Sequence, residues 1–241
     1  MSETEWSVTA PTGLPESWLV SATGTAALLL TATAVVPRIT HVRRVMFLLT
    51  VLSTIFHEAG HALACCATGG GVRVIEIYTP DSGRTSVWHY SAFSSIVTTA
   101  AGYAVPPLAG LGAASLLSRG HAPMVLTITV VVMALVLVVT RDLITLVSVV
   151  AVGLVAFAVL RWGTVGLQHG VAYTEAWMLL FGEGAGLWAL LSNRFRGAGD
   201  PGSDDASSLA GKTGIPAVLW IAAWVALLVW SLWKAVPLLW P

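Results

Sequence analysis

Residues 56–66 read Phe-His-Glu-Ala-Gly-His-Ala-Leu-Ala-Cys-Cys, FHEAGHALACC, within an otherwise apolar run from about 45 to 68. Two histidines and a glutamate within five positions are costly to bury in hydrocarbon, where each ionisable group carries a penalty of about 2.5–3.5 kcal/mol or more near the bilayer centre. His57-Glu58-Ala59-Gly60-His61 matches H-E-x-x-H. On a helix, His61 lies about 40° round the axis and one turn along from His57, so both imidazoles can reach one metal ion. Glu58 lies about 100° from His57, too offset to join the coordination shell easily and well placed to accept a proton from a water the metal activates. Chance placement gives about 0.004 such matches in a chain of this composition, so a metal site explains the motif better than two packed histidines do.

The surrounding chain sets the context. Of 241 residues, 56% are hydrophobic and 10% are charged, against about a quarter charged in a soluble domain. The composition predicts an all-α polytopic membrane protein with the lipid bilayer as solvent. Twelve basic residues balance twelve acidic ones, which excludes a partner recognised by bulk positive charge, nucleic acid above all. Cys65 and Cys66 are the two cysteines and adjacent, so no disulfide framework is expected.

Seven apolar segments can be drawn, near 17–36, 45–68, 92–117, 122–140, 143–160, 171–191 and 215–240, each close to the ~20 residues a helix needs to span the hydrocarbon. The fourth and fifth are parted only by Arg141 and Asp142. They form either one broken helix or a tight helical hairpin, so six or seven spans are expected. Residues 1–16 read as a polar tail, 17–191 as the membrane domain, 192–214 as a flexible Gly/Ser/Asp-rich linker and 215–241 as a last transmembrane helix. Gly211-Lys212-Thr213 in that linker is not a phosphate loop, because the glycine required five positions earlier is Ala206. Between the second and third segments, Val72, Val74 and Tyr78 alternate loosely with Arg73 and Ile75. Pro80, Asp81, Ser82 and Gly83 follow, then Thr85, Val87 and Trp88, which predicts a β-hairpin after the H-E-x-x-H helix.

Two histidines do not complete a catalytic zinc site, which usually takes three protein ligands. Asp142, between two long apolar runs, is the first candidate for the third; a helix N-cap is its alternative role. Glu183 in FGEGAGLW could be a ligand, a pathway residue or a polar contact between helices. Glu175, His89, His121, His169, His41 and Cys65 rank lower as ligands.

An H-E-x-x-H inside a membrane helix, a hairpin behind it and a later intramembrane aspartate resemble the site-2 proteases, the M50 intramembrane zinc metalloproteases. HEAGHALA and the glycines after it look like the compact bacterial M50B-like branch, over about residues 45–160. The resemblance implies a multi-pass cell-membrane zinc metalloendopeptidase acting on transmembrane protein substrates. His57, His61 and Asp142 would be the zinc ligands, Glu58 the general base, and the hairpin a strand on which an unwound substrate lies. Better-known members carry Asn-Pro before the aspartate and Gly after it, whereas this chain has Val138-Val139-Thr140-Arg141-Asp142-Leu143. The competing expectations are a zinc-binding membrane protein without protease activity and a metal transporter.

Overall fold

A computed structural model describes residues 40–79, 82–195 and 204–239, with side chains from Val51 onward. The polar tail and the first expected span lie outside the described residues. The described residues hold seven helices and one hairpin: α1 Thr40–Ala67, β1 Gly71–Thr79, β2 Ser82–Trp88, α2 Ala92–Leu117, α3 Ala122–Val139, α4 Leu143–Trp162, α5 Val165–Phe195, α6 Asp205–Thr213 and α7 Ala217–Leu239.

Four of these helices, α2, α3, α4 and α7, are long and apolar enough to cross a membrane. The six or seven spans expected include 17–36, outside the described residues, and the continuous helix α5, which carries Glu175 and Glu183, both buried inside the bundle. The apolar residues that α3 and α4 leave exposed, among them Val131, Leu135, Val138, Val147, Leu154 and Val155, form a surface suited to lipid contact.

The expected hairpin is present. β1 and β2 pair antiparallel, with Gly71 opposite Trp88, Ile75 opposite Thr85 and Glu76 opposite Arg84. Ile75 and Ile77 are fully buried against Val51 and Ile55 of α1, Met133 and Val136 of α3, and Val149 of α4. One face of β1 therefore belongs to the core. The outer edge of β1 is partly occupied, since Ile75 bridges Thr140 in parallel and the Ile77 N–H donates to Thr145 Oγ1 at 2.6 Å. Among the described residues no strand pairs with the outer edge of β2.

Of the two arrangements expected around Arg141 and Asp142, the structure adopts the hairpin. α3 ends at Val139, and Asp142 caps α4, its Oδ1 accepting the Thr145 N–H at 2.9 Å. Arg141 Nη1 donates to the Val138 and Thr140 carbonyls at 3.2 and 3.0 Å. Both residues thus satisfy helix-end groups that would otherwise lack partners at a membrane boundary.

The stretch expected to be a flexible linker is ordered at both ends. Residues 192–195 continue α5, 196–203 lie outside the described residues, and 205–213 form α6. Asp204 Oδ1 accepts the Ser207 N–H at 2.8 Å as the N-cap, and Gly214 ends the helix at φ 73°. Ala206 and Leu209, one turn apart, are fully buried beside Leu187, Leu190, Ile221 and Trp224. Burying a leucine side chain contributes about 2 kcal/mol. Arg194 at the end of α5 adds a clasp: its Nη2 donates to both oxygens of Asp204, at 2.7 and 2.9 Å, and to Ser207 Oγ at 2.7 Å. The short helix is thereby laid against α2, α5 and α7 beside the motif of α1.

Candidate metal centre

The helix α1 sets His57 and His61 one turn apart with their Nε2 atoms 3.1 Å from each other. Each ring is oriented from behind. His61 Nδ1–H donates to the Thr98 carbonyl of α2 at 2.7 Å, and His57 Nδ1–H donates to Glu183 Oε1 of α5 at 3.2 Å. Carbonyls and carboxylates only accept, so both Nδ1 atoms carry hydrogen in these bonds and both Nε2 lone pairs face inward. The second oxygen of Glu183 accepts from Ser53 Oγ at 3.2 Å, which holds the carboxylate in place.

The third group is Asp205, the first residue of α6. Its Oδ2 lies 3.2 Å from His57 Nε2 and 3.3 Å from His61 Nε2. The ligand atoms of His57, His61 and Asp205 all lie within 4.8 Å of one another. Three electron-pair donors converging in this way repel unless a cation lies among them. Bonds of 2.0–2.1 Å to a tetrahedral ion would set such atoms about 3.3 Å apart. The donor set and its spacing therefore fit a divalent metal of the zinc kind.

Packing of α2 against α1 depends on Gly102. A Cβ there would lie 2.4 Å from His61 Cε1 and 2.6 Å from His57 Nε2. Its role is thus close approach to the two imidazoles, and α2 runs continuously through Pro106 and Pro107. Tyr103 stands edge-on to His57 at 4.6 Å between ring centroids, backed by Trp224 at 4.7 Å.

Glu58 is 4% exposed and contacts the hairpin rather than the ligands. Thr85 Oγ1 of β2 donates to Glu58 Oε2 at 2.6 Å. Gly83, two residues earlier, permits this approach, since a Cβ there would be 2.7 Å from Glu58 Oε1. Both groups open on a cavity of about 630 Å³ lined by the histidines, Glu58, Gly83, Arg84, Thr85, His89, Thr99, Tyr103, Glu183, Asp205 and Lys212. Burial holds the His89 imidazole below its ordinary range, and the Lys212 charge nearby acts in the same direction.

Of the residues singled out from the sequence, the structure brings His57, His61 and Glu58 to one cavity and leaves Asp142 out of the ligand cluster. Its place there is taken by Asp205, because Asp142 is committed to the turn between α3 and α4 as a helix cap. Glu183 supports a ligand from behind. Glu175 is buried and bonded to Thr129 Oγ1. His169 Nδ1 bonds to the Val165 carbonyl of its own helix, and His121 occupies the N-cap position of α3. Cys65 Sγ contacts the Gly71 and Trp88 carbonyls. Sequence reasoning missed Asp205 because Gly, Ser and Asp around it read as linker. The available signal was Asp204 with Ser207 three positions on, and Ala206 with Leu209 one turn apart, just before an apolar span.

The model of the family described as Peptidase M50B-like matches residues 21–235, and the chain belongs to that family. The match extends well beyond the 45–160 expected, taking in α6 with Asp205. No curated protein matches the chain significantly, and no solved structure does.

Proposed function

With membership of the Peptidase M50B-like family as the premise, we propose that the protein is an intramembrane zinc metallopeptidase that hydrolyses peptide bonds of membrane-embedded protein substrates. The observation that carries this reading is the convergence of Asp205 Oδ2 with His57 Nε2 and His61 Nε2, beside a buried glutamate on one cavity. His57, His61 and Asp205 hold the ion, in place of the set with Asp142. When bound, zinc polarises the scissile carbonyl and acidifies water.

Glu58 takes the proton from the attacking water and returns it to the leaving amine. Thr85 orients that carboxylate, and Glu183 and the Thr98 carbonyl keep both imidazole lone pairs turned inward. A helical substrate hides its peptide bonds in its own hydrogen bonds and must unwind to be cut. The edge of β2 that no described strand covers offers backbone partners to the unwound segment as an added strand, with Thr85 on that same strand touching Glu58. An intact base beside the cluster favours hydrolysis over a binding or transport role, neither of which needs it.

The test is zinc content by elemental analysis together with cleavage of a transmembrane reporter, for wild type and Glu58→Gln in the same preparation. One zinc per chain in both and cleavage in wild type alone is expected. Wild type that is fully loaded with zinc yet inert on every transmembrane reporter, or that never takes up zinc, overturns the reading.

A further inference from the structure

Four carboxylates line the metal cavity and each is engaged: Glu58 by Thr85, Glu183 by His57 and Ser53, Asp204 by Arg194, and Asp205 by the two histidines. Arg84 and Lys212 line the same cavity. Arg84 lies opposite Glu76 in the hairpin register. Lys212 donates only to a neutral group, Thr99 Oγ1 at 2.6 Å, and makes no ion pair among the described residues. Lys212 and Asp205 are seven residues apart on α6, almost two full turns, which sets them on one face of the helix about 10 Å apart along its axis. Thr99 follows Thr98, whose carbonyl holds His61, so Lys212 is tied to the same stretch of α2 that orients the metal site.

We propose that Lys212 is a specificity-determining residue, the recognition point for a carboxylate side chain of the substrate. An extended chain advances about 3.3 Å per residue. The 10 Å between Asp205 and Lys212 therefore corresponds to an Asp or Glu about three residues from the bond that is cut. The acidic side chain takes the ammonium from Thr99, exchanging a neutral acceptor for a charged one, which strengthens the bond. This inference rests on the peptidase reading and supplies a substrate class to the same site.

The experiment uses the full-length, zinc-loaded protein in detergent and a library of transmembrane peptides randomised over the segment flanking the apolar stretch. Cleaved bonds are identified by mass spectrometry. In parallel, the library is captured on immobilised Glu58→Gln protein, which reads binding without cleavage. Wild type is expected to enrich Asp and Glu about three residues from the cleaved bond, and Glu58→Gln to retain the same peptides. Lys212→Gln should lower the preference for the acidic over the amide peptide roughly tenfold, in kcat/KM and in capture. Lys212→Glu should shift selection towards Lys and Arg, with zinc content unchanged. Cleavage with no acidic preference, or with one that Lys212→Gln leaves intact, overturns the inference while the peptidase reading stands. Acid-selective capture that Lys212→Gln abolishes, without cleavage by any zinc-loaded preparation, keeps Lys212 as a carboxylate-binding residue and overturns the peptidase reading. Loss of binding to phosphatidylglycerol vesicles in Lys212→Gln, with peptide selection unaltered, would assign the lysine to a lipid headgroup and also overturn it.

Discussion

Asp205 Oδ2 stands 3.2 Å from His57 Nε2 although the two residues come from opposite ends of the described chain. That contact adds a carboxylate to the two-histidine motif, giving a group of three that could hold a metal ion, whereas Asp142 caps α4. Asp205→Asn should abolish stoichiometric zinc binding and cleavage, since an amide is a poor zinc ligand. Asp142→Asn should retain both, because asparagine still caps α4. Asp142→Ala should lose only about 1 kcal/mol of stability. Metal content after dialysis and a thermal melt of each variant check this. Zinc loss in Asp142→Asn with retention in Asp205→Asn would reverse the assignment.

Glu58→Gln should keep zinc and lose cleavage by about 10²–10⁴-fold, the usual contribution of a positioned general base. Glutamine preserves shape and can still accept the Thr85 hydroxyl, so folding should be unaffected. Single-turnover cleavage of a transmembrane reporter, with metal content measured alongside, is the check. Wild-type rates in this variant would remove Glu58 from the chemistry.

Glu183 touches His57 at Nδ1, not at the ligand atom. Glu183→Gln should therefore weaken zinc affinity by roughly 10–100-fold without emptying the site at saturating zinc. Competition with a chromophoric chelator measures the shift. Full loss of metal at saturation would instead make Glu183 a ligand, and an unchanged affinity would make it a packing residue.

Arg194 holds α6 through Asp204 and Ser207, one and two positions from Asp205. Its guanidinium is partly exposed, so global stability should change little. Arg194→Ala should lower zinc affinity several-fold by loosening the helix that carries the third ligand, and excess zinc should restore cleavage. Chelator competition and cleavage titrated with zinc give the result; an affinity equal to wild type would show that Leu209 and its neighbours suffice to seat α6.

How much of this was legible in the sequence follows the range of the interactions. The i, i+4 spacing of His57 and His61 is a property of any helix, and the apolar runs around it report burial in lipid without reference to partners. Turn residues at 80–83 and alternating β-formers on either side specify the hairpin locally, and the alternative cap role of Asp142 was equally local. These the sequence by itself determined. The third member of the candidate metal group it did not, because Asp205 reaches the two histidines only through contacts far apart in the chain. Leu209 packs into a core shared with α5 and α7, Arg194 clasps the cap of α6, and Gly102 lets α2 close on both imidazoles. Tertiary structure decided that a stretch composed like a linker becomes a wall of the centre. Burial of a few side chains and a clasp from a neighbouring helix outweigh the weak helical preference of Gly, Ser and Asp, and no local pattern around Asp205 encodes the partner surface it needs.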